Sequence, residues 1–436
     1  MTLKPKIALL TCLLLATFCM LNAQSTTIIH AGKLLAVPGQ GVLSKQTIVV
    51  KNGLITDVKA GFLNPKDLDL EDARVVDLKD KFVMPGFIDL HTHVTGERDP
   101  DRNPHEWTTL NKEDFAFRCI PYLKRTLEAG FTTVRDLGSD QPTLIPAIKR
   151  AIREGNIEGP RIIAAINMIS ATGGHGDFHG YREEIEEAMG PMVNTCDGSD
   201  DCRRTVREMV KQGADVIKFA ATGGVLSNTA AGVGKQLTDE EMVAIVETAH
   251  SLGRKVAAHA HEADGINAAL RAGVNSIEHG SYLNDESVGL FNKTGAYLVP
   301  TLLAGVSVAE EMEVNHNIPP AIQEKIRQVT PVVEASFRRA LKGNVKIAFG
   351  TDSGVSKHGT NAREFEIMVR YGMDPEQAIK AATVNAADLL GMSDKIGTLE
   401  KGKLADIIAV EGDPLKNIST LLNMKFVMKD GIIFRQ

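Results

Sequence analysis

The sequence predicts an α/β protein, a (β/α)8 TIM barrel joined to a small β-domain that draws on both chain ends. Three observations carry this reading. Apolar, strand-like runs alternate with helical stretches through the middle of the chain, the order that gives a parallel sheet wrapped by helices. Metal-ligating residue types recur at the C-terminal ends of those runs, which a barrel gathers at one mouth and a doubly wound open sheet leaves unexplained. Short β-rich runs with Asn-Gly or Asp-Gly turns occupy the beginning and the end. At 436 residues the chain has room for one large domain and a smaller partner. The net charge of −6 and the lack of a basic stripe argue against a nucleic-acid partner.

Taken in order, Lys4 and Lys6 precede the apolar run Ile7 to Leu21, and Asn22-Ala23-Gln24 follows. This is the layout of a secretory signal peptide, residues 1–23, cleaved near Ala23. The run is short for a spanning helix, which takes about 20 apolar residues. An uncleaved anchor is the competing reading. Cys19 follows Phe18 rather than the small residue a lipoprotein signal prefers. The expectation is an exported protein, periplasmic or secreted, with no membrane span once the signal is removed. Cys196 and Cys202 flank the polar loop Asp197 to Asp201. A local disulfide and a pair of free thiols both remain open. A zinc knuckle would need a second cysteine pair.

Residues 24–85 and 395–436 supply the β-domain. Thr47 to Ile55 contains Asn52-Gly53 between two apolar runs, and Phe426 to Ile433 repeats the pattern around Asp430-Gly431, with Lys403 to Val410 as a further strand. Residues 86–394 supply the barrel. Its eight expected strands are Gly86–His93, Thr132–Leu137, Arg161–Ile169, Val216–Ala221, Lys255–His261, Ser276–His279, Tyr297–Leu302 and Lys346–Asp352. A capping-box-like start at Thr238 to Glu241 opens a helix running to Leu252. The run Arg182 to Glu187 reads as a solvated helix face.

His91 and His93 lie two apart at the end of the first run, so both point to one face and can reach one ion. Lys218, His259, His279 and Asp352 stand at or near the ends of four other runs. Any one of these histidines alone reads as a hydrogen-bonded core residue, but six coordinating types at strand ends do not. Imidazole and carboxylate suit zinc or a similar divalent ion. Lys218 sits among apolar neighbours, where an ammonium beside cations is poorly solvated and its pKa falls. A neutral amine can take up carbon dioxide as a carbamate, a two-oxygen anion able to bridge two metals. A lysine that snorkels or pairs with an acid is the other reading. On spacing alone, either His259 or His261 can serve as ligand. His175 lies in a glycine-rich loop after the third run, where its ring can meet the substrate. Gly173-Gly174 and Gly223-Gly224 lack the ending of a phosphate loop and read as points of close backbone approach to substrate. His30, His105, His179, His250, His316 and His358 have no motif context and read as surface or structural.

The set Pro85 to His93, Ile217-Lys218, Val256 to His261, Ile277 to Gly280 and Gly350 to Ser353 resembles the amidohydrolase superfamily. Ala171 to Gly176 and Ala220 to Val225 resemble its prolidase-like (Xaa-Pro dipeptidase) group, related to imidazolonepropionase. The resemblance implies a barrel whose β-domain is a β-sandwich. It implies two divalent metal ions, Zn2+ by default, bridged by carboxylated Lys218. His91, His93 and Asp352 would hold the more buried ion and His259 and His279 the second, with His175 and His261 turned to the substrate. Asp352 would be catalytic, taking a proton from the attacking hydroxide and passing it to the departing amine. The function so implied is hydrolysis of the amide bond of dipeptides, Xaa-Pro or similar, or of N-acyl amino acids. The alternative is a mononuclear cyclic amidase of imidazolonepropionase type, against which Lys218 and export both count. A catalytically dead ligand-binding barrel is a third reading, opposed by six competent ligand positions. Monomer and homo-oligomer are both open.

Overall fold

The computed structural model describes residues 26–102, 106–139, 141–190, 193–228, 231–315 and 317–436. The expected signal peptide, with Cys12 and Cys19, and the residues His105 and His316 lie outside the described residues.

The two ends of the chain meet in one seven-stranded sheet. Its strands are β1 (Thr26–Leu34), β2 (Leu43–Lys51), β3 (Leu54–Ala60), β4 (Arg74–Pro85), β14 (Ile407–Val410), β15 (Met424–Lys429) and β16 (Ile432–Arg435), in the order β16-β15-β14-β4-β1-β2-β3. β1 and β4 pair in parallel and every other neighbouring pair is antiparallel. Both expected hairpin turns form, with Asn52 and Gly53 at φ 51° and 81° and Asp430 and Gly431 at φ 50° and 78°. Positive φ at both central residues gives the twist a two-residue hairpin needs. The two turns also pack on each other: a Cβ on Gly53 would lie 2.8 Å from the Asp430 carbonyl oxygen. Ile29, Ala31, Ile48, Val50, Ile407 and Phe426 form part of this sheet's own apolar cluster.

Between the ends, parallel strands alternate with helices. β5 (Phe87–Thr92), β6 (Phe131–Asp136) and β7 (Arg161–Ala164) form one parallel set. β8 (Met168–Ser170), β10 (Val216–Ala220), β11 (Lys255–Ala260), β12 (Ser276–His279) and β13 (Tyr297–Val299) form a second, and β9 (Asn194–Thr195) pairs with β8. β5, β6 and β10 are buried along their whole length, as parallel strands covered on both faces must be. The expected strand Arg161–Ile169 is split into β7 and β8, because Ile166 takes a positive φ of 71°. The expected strand Lys346–Asp352 is held by single backbone bonds rather than a ladder. Leu298 N–H donates to the Lys346 carbonyl (2.8 Å), Leu90 N–H to Phe349 (3.0 Å) and Asp352 N–H to His91 (2.8 Å), which place this segment between β13 and β5. The expected run Tyr297–Leu302 stops at Val299, since Thr301 at φ 48° turns the chain into the helix Leu302–Val314.

The helix Asp239–Ser251 opens on the expected capping box. Glu241 N–H donates to Thr238 Oγ1 (3.2 Å) and Thr238 N–H to Glu241 Oε2 (2.8 Å). The helix Glu183–Met189 carries its glutamates to solvent, as read from the charge run. Arg161 ties the end sheet to the parallel strands, donating to Asp406 (2.8 Å) and to Asp430. Cys196 and Cys202 form a disulfide and Cys119 is a buried free thiol. Among the described residues no helix is long and apolar enough to cross a membrane.

Candidate metal centre

Strand ends bring all the sequence-predicted residues to one cavity of about 900 Å3. His91 is buried near the end of β5, and His93, half-buried, follows the strand on the same face. Lys218 comes from β10, His259 from β11 with His261 just beyond it, and His279 from the end of β12. Asp352 stands opposite His93. Two of these residues, His279 at φ 71° and Asp352 at φ 59°, adopt the left-handed backbone region. That costs an ordinary residue roughly 1–3 kcal/mol and concentrates at functional sites.

Two donor groups result. In the first, Asp352 Oδ1 lies 3.0 Å from His93 Nε2 and 3.6 Å from His91 Nε2. Tetrahedral coordination with bonds of about 2.1 Å puts ligand atoms about 3.4 Å apart, so these separations fit one shared ion. The second is His259, His261 and His279, whose donor atoms fall within 4.8 Å of one another. His261 therefore stands as close to this group as the two expected ligands do. His175 lies alongside, its ring centroid 4.2 Å from that of His259.

The surroundings leave the donors free for a metal. His91 Nδ1 is held by Glu278 Oε2 (2.9 Å), His93 Nδ1 by the Gly138 carbonyl (2.8 Å), His279 Nδ1 by Thr301 Oγ1 (2.7 Å) and His261 Nδ1 by Ser281 Oγ (2.8 Å). Each bond engages one ring nitrogen and points the other into the cavity, the arrangement metal-binding histidines need. His259 is turned the other way, its Nε2 against the Gly223 carbonyl at 3.3 Å. Apart from the His93 ring that faces it at 3.0 Å, buried Asp352 Oδ1 has no hydrogen-bond partner among the described residues, an anion that a cation would satisfy.

Charge follows from burial. Burial lowers His91 and His261 to about 4 and His175 to about 3, and holds His259 and His279 well below the ordinary histidine value. These rings are neutral at pH 7 and carry lone pairs. His93 is the exception: burial opposes its charge, but the hydrogen bond and charge of Asp352 outweigh it and raise it to about 9. Asp352 is likewise held well below the carboxylate range by His91 and His93 in spite of its burial. Burial lowers Lys218 to about 8.

Glu278 and Arg135 have no assigned role on sequence grounds. Both are almost wholly buried; Arg135 donates to Glu278 Oε1 (2.8 Å) and to the Leu90 carbonyl (2.6 Å), and Ser276 Oγ donates to the same Glu278 oxygen. Arginine within the apolar run Thr132–Leu137 is the sequence signal for this pair. Gly224 makes a close approach within the protein itself. A Cβ there would lie 2.1 Å from the His175 ring. His358, read as surface or structural, is buried between Ser353 Oγ (3.1 Å) and the Gly96 carbonyl (2.9 Å).

Residues 82–433 match the model of the Amidohydrolase family. Ochratoxinase of Aspergillus niger is 32% identical over 430 residues, covering 94% of this chain and 86% of that protein. A Xaa-Pro dipeptidase solved with methionine in its active site superposes with a TM-score of 0.87 at 39% identity, covering 94% of this chain and all of that one (100%). A prolidase solved with N-methylphosphonate-L-proline gives a TM-score of 0.85 at 29% identity, again over 94% of this chain and 100% of the other. The family match, residues 82–433, spans both donor groups. The chain belongs to the amidohydrolase family and is an enzyme, a hydrolase of amide C–N bonds.

Proposed function

We propose that this chain is an exported binuclear amidohydrolase that hydrolyses dipeptides, Xaa-Pro or similar, or N-acyl amino acids. The observation that carries the reading is the meeting of two donor groups, His91/His93/Asp352 and His259/His261/His279, with buried Lys218 in one cavity. In this reading residues 86–394 are a (β/α)8 TIM barrel whose eighth strand is the Lys346–Asp352 segment. Residues 24–85 and 395–436 are its β-sandwich domain, and residues 1–23 a signal peptide. The disulfide Cys196–Cys202 supports an oxidising compartment, periplasmic or extracellular.

His91, His93 and Asp352 would hold one divalent ion and His259 and His279 the other, zinc suiting neutral imidazole and carboxylate donors. Lys218, buried and eased towards its neutral amine, would take up carbon dioxide and, as the carbamate, serve both ions. Such ions, when bound, supply Lewis acidity that lowers the pKa of water and polarises the amide carbonyl. Asp352 takes the proton of the attacking water and delivers it to the leaving amine nitrogen. The neutral rings of His175 and His261 hold the substrate by the nitrogens their serine partners leave free.

The test is metal content and turnover of zinc-reconstituted mature protein with bicarbonate, on Xaa-Pro, Xaa-Arg, Xaa-Leu and N-acetyl amino acids. The expected result is two metals per chain and turnover of at least one substrate. Asp352→Asn should lose about 10²–10⁴ in kcat, the usual contribution of a positioned acid–base group. One metal per chain would favour the mononuclear cyclic amidase instead. Full activity of Asp352→Asn would move the proton shuttle elsewhere.

A further inference from the structure

Part of the cavity wall is apolar and has a core of its own: Val308, Ile318, Ile322 and Ile326 form a separate apolar cluster, against which Val225, Leu226 and Val355 pack while partly exposed. All of these except Ile326 line the cavity. Val308 lies on the helix Leu302–Val314 and Ile322 on the helix Pro320–Lys342, so the wall belongs to the two helices that follow β13.

Val225 and Leu226 are held against it by an unusual device. Lys325, on the helix Pro320–Lys342, is 4% exposed. Its ammonium donates to the carbonyls of Gly224 (2.8 Å) and Ser227 (2.6 Å), the residues on either side of Val225-Leu226. No carboxylate pairs with it among the described residues. A buried ammonium without a counter-charge is costly. Here it fixes the two ends of a two-residue apolar segment and, through Ser227 Oγ, the His175 ring.

We propose that Val225, Leu226, Val308, Ile318 and Ile322 form an apolar subsite, clamped by Lys325, that takes a bulky branched or aromatic group of the amide substrate. This rests on the amide-hydrolase reading above and narrows its substrate class: compact glycine- or alanine-bearing amides leave the wall unfilled. A volume near 900 Å3 is at the upper end of the usual range of roughly 300–1,000 Å3 for small-molecule sites, ample for such a group.

The test uses binding as well as turnover. Titration calorimetry of the zinc-loaded protein compares N-acetyl-phenylalanine amide and N-acetyl-leucine amide with N-acetyl-glycine amide. Hydrolysis compares phenylalanyl-glycine and glycyl-phenylalanine with glycyl-glycine. The expected result is a preference of tenfold or more for the apolar ligands, and for one of the two phenylalanine dipeptides. Leu226→Asn should cut that preference to less than threefold. Lys325→Met, which alters no wall side chain but releases the Val225-Leu226 segment, should reduce it too, with metal content unchanged in both variants. Equal binding of the glycine and phenylalanine ligands overturns the subsite, as does a preference that both variants retain. A binding preference intact without hydrolysis of any amide supports the subsite and removes the proposed reaction.

Discussion

Glu278 lies between a fully buried guanidinium and the His91 ring, whose other nitrogen faces Asp352, and its own carboxyl is held at about 2 despite burial by Arg135 and His91. A charged acceptor at His91 Nδ1 keeps the proton there and the lone pair on Nε2. It also makes the ring a stronger donor. Glu278→Gln retains the shape and loses the charge, so metal affinity should fall about 10–100-fold. Competition with a chelator measures this directly; unchanged affinity would reduce Glu278 to a packing role. The gathering of the six candidate positions in one cavity was legible because strand alternation and strand ends say where a side chain points. Glu278 was not, because its partner lies on β5 and the register between strands far apart in sequence leaves no local trace. His261 stayed ambiguous for another reason: alternation puts it on the same face as His259, and the structure draws both into one group.

At the scale of elements, the loop after β10 is shaped by what it must pass. Gly224 lies against the His175 ring, and its neighbour Gly223 against the Gly232 carbonyl, where a Cβ would come within 2.2 Å. Overpacking of this kind costs about 1–3 kcal/mol. In Gly224→Ala the ring is the more movable party, so His175 should leave Ser227. The expected outcome is KM raised about tenfold for the preferred dipeptide with metal content unchanged, a contrast read from steady-state kinetics and metal analysis; loss of metal instead would make His175 part of the metal centre. The glycine pair was visible in the sequence as a close approach. What it approaches depends on the loop after β8, which no periodicity describes. The breaks at Ile166 and Thr301 were invisible for a similar reason, since neither residue type announces a positive φ.

For the whole molecule, stability should carry a pH signature from Glu364. This carboxyl is fully buried and accepts from the N–H groups of Leu302 (2.9 Å) and Leu303 (2.6 Å), joining the helix Arg363–Arg370 to the start of the helix Leu302–Val314. Burial raises it to about 8, with the two backbone bonds opposing and the Asp89 charge adding. Below pH 4.5 it is protonated folded or unfolded and contributes no slope. Between about 4.5 and 8 the unfolded chain releases a proton that the folded one keeps, so stability falls as pH rises, and the loss levels off above 8. Urea unfolding with chelator present should show this decline, and Glu364→Gln should flatten it. An equal slope in both proteins would place the proton uptake elsewhere. The alternation of strands and helices and the two hairpins were legible at this scale because each is a local pattern. The meeting of both ends was legible too, from the repeated hairpin pattern; the strand order of the shared sheet and the contact of Gly53 with Asp430 were not, because they rest on pairings remote in the chain.

That meeting has a consequence in time. β4 pairs on one side with β1, made early, and on the other with β14, which begins only at Ile407. At about 5–20 residues per second, synthesis takes on the order of tens of seconds to cover the stretch between them. Throughout that interval the second edge of β4 stays open, and such an edge invites pairing with a neighbouring nascent chain. The lysines and aspartates of Asp77 to Lys81 directly precede the Phe82–Pro85 stretch that β14 will cover, and charges beside an open edge discourage such pairing.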